Sequence, residues 1–117
     1  MRTRILVLLL TVISSLLASC SVNAPTPSSQ ITAAPVSELK YADYTCASLT
    51  TVLESLAQRS LDLTRAQEKR IKSSDVQGTI LGVGQGDGAE ASELSKVRGE
   101  QAAASKVFNE KRCEYNR

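Results

Sequence analysis

Apolar residues fall at helical spacing along two long stretches of the chain. In the first stretch, 41–72, they follow steps of three, four, three and seven residues: Cys46, Leu49, Leu53, Leu56 and Leu63. In the second, 89–114, an a/d-like stripe with one polar member runs through Leu94, Val97, Gln101, Ala104 and Phe108. A face that repeats every three to four residues is typical of an amphipathic helix. The pattern therefore predicts two helices that pack on each other as an antiparallel hairpin.

The segment 73–88 between the two helices contains five of the six glycines of the chain. Its apolar run Thr79–Val83 is β-prone, which predicts either a short extended segment over the end of the hairpin or an exposed contact patch. The glycines lack the context of a phosphate-binding loop, so a flexible turn is the simpler interpretation. Asp87 is placed to cap the second helix, with Glu90 completing a capping box. Gly99 would let the first helix come close to the second.

The N-terminal 19 residues have the layout of a secretory signal. Two arginines lie within residues 1–4, an apolar run covers 5–13, and Leu17-Ala18-Ser19 precedes Cys20. Even when extended to Ala18, the apolar run is shorter than the ~20 residues of a transmembrane helix. We expect cleavage between Ser19 and Cys20, and an uncleaved anchor helix is the alternative.

Residues 20–40 contain all three prolines, together with many Ser, Thr and Ala residues. The segment has no repeating apolar face, so it is expected to be a disordered, semi-flexible tether. At ~3 Å per residue it would hold the following domain ~40–60 Å from a membrane.

Composition and charge narrow the function classes. Arg2 and Arg4 leave with the signal, so the mature chain carries 12 basic and 12 acidic side chains. This balance gives no electrostatic footprint for nucleic acid and no polybasic membrane patch. Histidine, the usual general base and a common metal ligand, is absent from the sequence. No nucleophile, base and orienting group converge at a familiar spacing. We therefore expect a non-enzymatic protein with no cofactor and no metal.

The cysteines indicate one disulfide. With Cys20 set aside, Cys46 and Cys113 remain, and an exported chain with an even number of thiols favours a bridge. Two helices of similar length would bring both cysteines to the open end of the hairpin. Cys113 lies ~140° around the helix from Phe108, so the last turn must twist or fray. Intermolecular pairing or a reactive thiol is the alternative.

The four residues Leu17-Ala18-Ser19-Cys20 resemble the lipobox of bacterial lipoproteins, and the resemblance covers the first 20 residues. It implies diacylglyceryl transfer to the Cys20 sulfur, often with palmitate or another acyl chain on the new amino group. Several acyl chains together give stable anchoring. Ser21, in place of Asp, points to the periplasmic face of the outer membrane rather than to the inner membrane.

The mature region is similar to a loose class of small proteobacterial helical-hairpin lipoproteins. The shared features are a Cys-x-x-Leu start at Cys46, a Gly-Glu pair at Gly99 and a Lys-x-Cys close at Cys113. The resemblance spans about residues 46–113. It implies a helical hairpin and carries no activity with it.

Together these patterns predict an all-α chain: signal 1–19, tether 20–40, and a disulfide-clamped hairpin 41–117. The expected function is a non-catalytic structural or interaction module of the cell envelope, held in the membrane by lipid on Cys20 and bound to an envelope protein. The alternative is a regulatory or exclusion lipoprotein with one dedicated partner in a conjugation or secretion system. The apolar stripe of the second helix contains a Gln and an Ala and offers little apolar surface for a monomer core, so self-association is a further alternative. The candidate contact residues are Ile80, Leu81, Val83, Leu94, Val97 and Phe108.

Overall fold

The computed structural model describes residues 23–115, and within that range it holds helices and no strands. Two short 3₁₀ helices, Ser28–Gln30 and Glu38–Tyr41, precede α1 (Cys46–Leu81) and α2 (Ala89–Glu110). The two long helices form an antiparallel hairpin, as the sequence predicts. The signal and Cys20 lie outside the described residues.

Helix α1 begins later and ends later than the stretch 41–72. Thr45 caps its start by accepting a hydrogen bond from the Ser48 amide at 3.1 Å, while residues before Thr45 form the second 3₁₀ helix and a turn. The helix passes through Gly78 and ends at Gly82, whose φ of +70° is a left-handed conformation that glycine adopts without strain. The sequence therefore places the glycine-rich turn too early, because only 82–88 is non-helical.

The core between the helices consists of two apolar clusters. The larger one lies at the open end, where α1 begins and α2 ends, and contains Tyr41, Leu49, Leu53, Ala103, Ala104, Val107 and Phe108. The other lies nearer the turn and contains Ile31, Leu63, Ala91, Leu94 and Val97. Full burial of one such leucine stabilises by roughly 1.5–3 kcal/mol. Beyond Leu63 the buried face of α1 continues through two polar residues, Gln67 and Ser74.

The Cys46–Cys113 disulfide closes the open end, with 5.5 Å between the two Cα atoms, so the intramolecular pairing is confirmed. Helix α2 ends at Glu110 rather than near 114. Arg112, at φ +54°, takes the left-handed conformation, and the Cys113 amide then donates to the Phe108 carbonyl at 3.0 Å. This Schellman arrangement reverses the chain and turns Cys113 towards Cys46.

Residues 23–44, here called the strap, differ from the expected flexible tether over 23–40. The strap starts beside the turn between the helices and runs along the hairpin to the open end. Ile31 and Tyr41 are buried in the two clusters, with Tyr41 2% exposed. The strap needs no apolar period of its own, because side chains of α2 bond to its backbone.

Gly99 of α2 marks the place where the strap crosses closest. A Cβ on this residue would overlap the Ala34 carbonyl oxygen of the strap. On the N-terminal side of Gly99, the Ala34 amide donates to the Ser95 carbonyl at 2.8 Å, and Arg98 donates to the Ser28 and Ile31 carbonyls. The glycine therefore accommodates the strap, rather than helix α1 as its place in the sequence suggests.

Candidate interaction surface

Four aliphatic side chains are exposed together where α1 ends: Val76, Ile80, Leu81 and Val83, which we call the apolar tip. Ile80 is 74% exposed and Leu81 71%. They are exposed because α1 continues past the start of α2. Ser74 is level with the returning chain, since its Oγ accepts from the Gln85 amide at 3.0 Å. The last turns of α1, after Ser74, therefore have no partner helix among the described residues.

The return segment 82–88 is held against the start of the strap. The Gly86 amide donates to the Asn23 carbonyl at 2.8 Å, and Gly86 has a φ of +64°. A Cβ at Gly84 would stand 2.5 Å from the Asn23 carbonyl oxygen, and one at Gly86 2.7 Å from the Asn23 amide nitrogen. Both glycines are buried, so the spacing of the glycine run reflects close packing on Asn23.

A polar group of three residues, here called the clasp, fixes the strap to the hairpin near the tip: Thr26, Gln67 and Asp87. The Asp87 carboxylate accepts from the Thr26 amide and hydroxyl, both at 2.6 Å. Gln67, fully buried, donates its Nε2 to the Thr26 carbonyl at 2.8 Å and to Asp87 at 3.0 Å. Its Oε1 is buried and has no hydrogen-bond partner among residues 23–115. Asp87 therefore clasps the strap, and Gly88, rather than Asp87, is the N-cap of α2.

Two carboxylates near the turn are held in the ionised state. The Thr26 hydroxyl and amide hold the pKa of Asp87 below its ordinary value. The pKa of Glu90 is also lowered, first by its own backbone amide at the start of α2 and then by Arg70 across the hairpin. Both carboxylates are therefore weaker bases than an ordinary Asp or Glu side chain.

Further along the strap, charged pairs fasten it to α2. Lys40 meets Glu100 at 2.6 Å, and Lys106 meets Glu38 at 2.7 Å. The Glu100 carboxylate raises the pKa of the Lys40 ammonium, while burial raises that of the Tyr41 phenol. These groups hold the strap in place along the hairpin.

A shallow groove of about 400 Å³ lies between the strap and the start of α2. Its polar groups include Asp87, bound to Thr26, and Ser95, whose hydroxyl donates to the Thr32 carbonyl at 2.7 Å. In the described part of the chain, no group of three metal-ligating side chains is arranged to hold an ion. Within residues 23–115, neither helix combines the length and apolar character that crossing a membrane requires.

The six candidate contact residues separate into two groups. Ile80, Leu81 and Val83 come together on the apolar tip. Leu94, Val97 and Phe108, in contrast, are buried in the clusters and at most 8% exposed, so they are core residues rather than contacts. The reason is that the apolar stripe of α2 is covered by α1 and the strap.

Two buried polar residues that hold the strap and the return segment, Gln67 and Ser74, were not predicted from the sequence. Gln67 follows Leu63 by four residues, so its helical register already placed it on the buried face. Ser74 follows seven residues later on the same face. The apolar residues Ala66 and Ile71 of the same stretch are, in contrast, only partly buried. Polar residues in an apolar register were the signal that could have located the clasp.

Comparisons of the chain with models of protein families, with curated proteins and with solved structures find no match.

Proposed function

We propose that the chain is a lipid-anchored protein of the bacterial cell envelope. It is held by acyl chains on Cys20 at the periplasmic face of the outer membrane, and it acts as a non-catalytic module that contacts an envelope protein. The observation that carries the proposal is the fixed position of Asn23, which lies only three residues after Cys20 in sequence and is bonded to Gly86. An anchor on Cys20 would therefore hold this end of the hairpin close to the membrane.

The disulfide supports export. Bridges between cysteines form and persist in oxidising compartments such as the periplasm. The Cys46–Cys113 bridge joins the first residue of α1 to the chain just beyond α2, and residues 23–115 contain no other cysteine. The third cysteine of the sequence is Cys20, which leaves it as the thiol that would carry lipid.

Many of the ionisable side chains are paired within the molecule. Arg59 pairs with Glu93 and Arg70 with Glu90 across the hairpin, in addition to the pairs that fasten the strap. Most of these pairs are exposed and contribute roughly 0–1 kcal/mol each. They give the hairpin one register rather than forming a reaction centre.

A Cys20→Ala variant expressed in the native host tests the anchor. We expect the wild-type protein in the outer-membrane fraction, with an N-terminal peptide whose mass includes diacylglycerol on Cys20, and the variant in the soluble periplasm. A Cys46→Ser/Cys113→Ser variant is the control, because it should stay lipidated and membrane-bound. An unmodified Cys20 peptide in the wild-type protein would refute the proposal.

Cross-linking in cells tests the interaction role. Capture of envelope proteins in a pattern that survives changes in growth conditions favours a structural module. One stoichiometric partner, encoded beside a conjugation or secretion system, favours the regulatory alternative.

A further inference from the structure

We propose that the apolar tip is a second membrane contact, seated in the interface of the bilayer that holds the anchor. The inference rests on the proposed membrane anchor at Cys20. In this arrangement lipid contacts Val76, Ile80, Leu81 and Val83. The hairpin then projects from the membrane, with its open end farthest from the surface.

The first argument is chain length. Asn23 is the third residue after Cys20. A fully extended chain spans about 3.3–3.6 Å per residue, so the Cys20 Cα lies within ~11 Å of the Asn23 Cα. Asn23 contacts Gly84, the residue next to Val83. A membrane that holds Cys20 would therefore lie close to the apolar tip. An uncleaved apolar segment 5–18 would end five residues before Asn23, which keeps its end within ~18 Å of the Asn23 Cα.

The second argument is the projection of α1. Asn23 and Ser74 both contact Gly84, so they lie at the same level of the hairpin. From Ser74 to Leu81 the helix rises 1.5 Å per residue, or about 10 Å. The tip thus extends about as far beyond that level as the chain to Cys20 can reach. Shallow insertion of about 5–10 Å is the depth of interfacial segments.

The third argument is rigidity. Asn23 is held by Gly84 and Gly86, which have no room for a side chain, and Thr26 is held by the clasp. The flexible link to the bilayer is therefore at most the few residues before Asn23. With Cys20 in the bilayer, Asn23 and the tip end of the hairpin stay close to the membrane surface.

The chemistry of the tip fits lipid. Its four side chains are aliphatic, and the Thr79 hydroxyl donates to the Asp75 carbonyl at 2.8 Å, so this polar group is satisfied within the helix. Gly82 bonds to the Gly78 carbonyl at 2.9 Å and satisfies part of the helix end. Lys72 and Asp75, both exposed, flank the tip with opposite charges. Insertion should therefore need no anionic lipid.

Tryptophan scanning tests the proposal, because the sequence contains no tryptophan. The variants Ile80→Trp and Leu81→Trp report on the tip. Leu61→Trp, at a 51% exposed position in the middle of α1, and Leu39→Trp, at an 82% exposed strap position near the open end, are the controls. Each full-length lipoprotein is purified in detergent, its Cys20 peptide is weighed, and it is reconstituted in phosphatidylcholine vesicles with or without bromine on the acyl chains.

We expect bromolipid to quench the two tip variants at least about twofold more than the two controls, at any salt concentration. Equal quenching at all four positions would overturn the proposal. A blue-shifted emission at the tip without bromolipid quenching would also overturn it, since a second copy or another protein segment would then cover the tip.

A second measurement separates this inference from the anchor. Chain 20–117 carrying Cys20→Ser should bind neutral vesicles weakly, and Ile80→Ser/Leu81→Ser should lower its partition coefficient by at least about tenfold. Leu61→Ser should leave the coefficient unchanged. Unchanged binding in the double tip variant contradicts the tip contact even where Cys20 proves lipidated. If the Cys20 peptide of the wild-type protein carries no added lipid mass but the tip variants still lower vesicle binding, the anchor alone is contradicted.

Discussion

The open end of the hairpin and its tip are held together by opposite chemistry. At the open end, aromatic and aliphatic side chains are buried around Tyr41 and Phe108, and a disulfide closes the chain. At the tip, the contacts are polar or backbone-to-backbone, through Thr26, Asp87 and Asn23, while the aliphatic side chains are exposed. The apolar core and the disulfide are therefore concentrated away from the proposed membrane. The end that would meet lipid keeps its apolar surface free.

The largest effect should follow from opening the disulfide. The bridge joins residues 67 apart, and the chain-entropy model gives about 4 kcal/mol for a loop of that length. Cys46→Ser/Cys113→Ser, in chain 20–117 with Cys20→Ser, should lose about this much free energy of unfolding in a urea titration. Reduction of the parent by dithiothreitol is the matched control and should give the same loss. An unchanged urea midpoint would show that apolar packing alone holds the open end.

The next effect concerns the strap, which connects the two ends. Gly99→Ala in an exposed helix would stabilise by about 1 kcal/mol, but here the Cβ meets the Ala34 carbonyl. We expect a loss of roughly 1–3 kcal/mol instead, measured by thermal or urea unfolding. Ala102→Gly, at an exposed position of the same helix, reports helix propensity alone and should cost about 1 kcal/mol. A stabilising Gly99→Ala would mean that the strap does not lie on α2.

A smaller effect should come from the clasp. Asp87→Asn replaces an ionised acceptor of two Thr26 hydrogen bonds. We expect a loss of about 0.5–1 kcal/mol at pH 6, given that the carboxylate is exposed. Faster hydrogen exchange of the Thr26 amide, with Cys113 and its neighbours unaffected, would localise the change to the tip. Uniform acceleration at both ends would contradict the separation of the two regions.

The clasp should also respond to acid, with a defined sign. The pKa of Asp87 is lower in the folded chain than its ordinary value of 3.8. Its contribution to stability is therefore fully present above pH 3.8, and it is lost as the pH falls through the lower folded-state pKa. The difference in unfolding free energy between wild type and Asp87→Asn should shrink in this acid range. A difference that persists at the lowest pH would assign the effect to packing rather than charge.

The smallest effect should be a gain at the open end. Arg112 holds a left-handed conformation at φ +54°, which costs a residue with a Cβ more than it costs glycine. Arg112→Gly should raise the free energy of unfolding by about 0.5 kcal/mol, because the gain is partly offset by a more flexible unfolded chain. Gly82→Ala, at φ +70° after α1, is the reverse control and should be destabilising. A neutral Arg112→Gly would mean that the Schellman turn is not strained.

Periodicity predicts the parts of this fold that repeat, and it misses those that do not. The stripe through Leu49, Leu53 and Leu63 identifies α1, and the cysteine count identifies the bridge. The strap escapes because an extended segment laid on a helix needs only scattered buried residues, such as Ile31 and Tyr41. Several of its hydrogen bonds come from α2 residues more than sixty positions later in sequence.

The site follows the same division. The exposed tip residues Ile80 and Leu81 could be identified as a contact patch from their apolar run alone. The sequence does not show whether Leu94 and Phe108 are core residues or contact residues. An amphipathic stripe has the same pattern whether a helix of the same chain or another protein covers it. Gln67 shows that a helical register marks burial even where the residue itself is polar.

The direction of the strap determines how the domain bears mechanical load. A pull on the chain before Asn23, directed away from the open end, runs lengthwise along the strap. The Thr26, Ala34 and Lys40 attachments are then loaded together in shear, rather than peeled apart one after another. Beyond Tyr44 the strap continues into Cys46, which the disulfide joins to the chain just after α2.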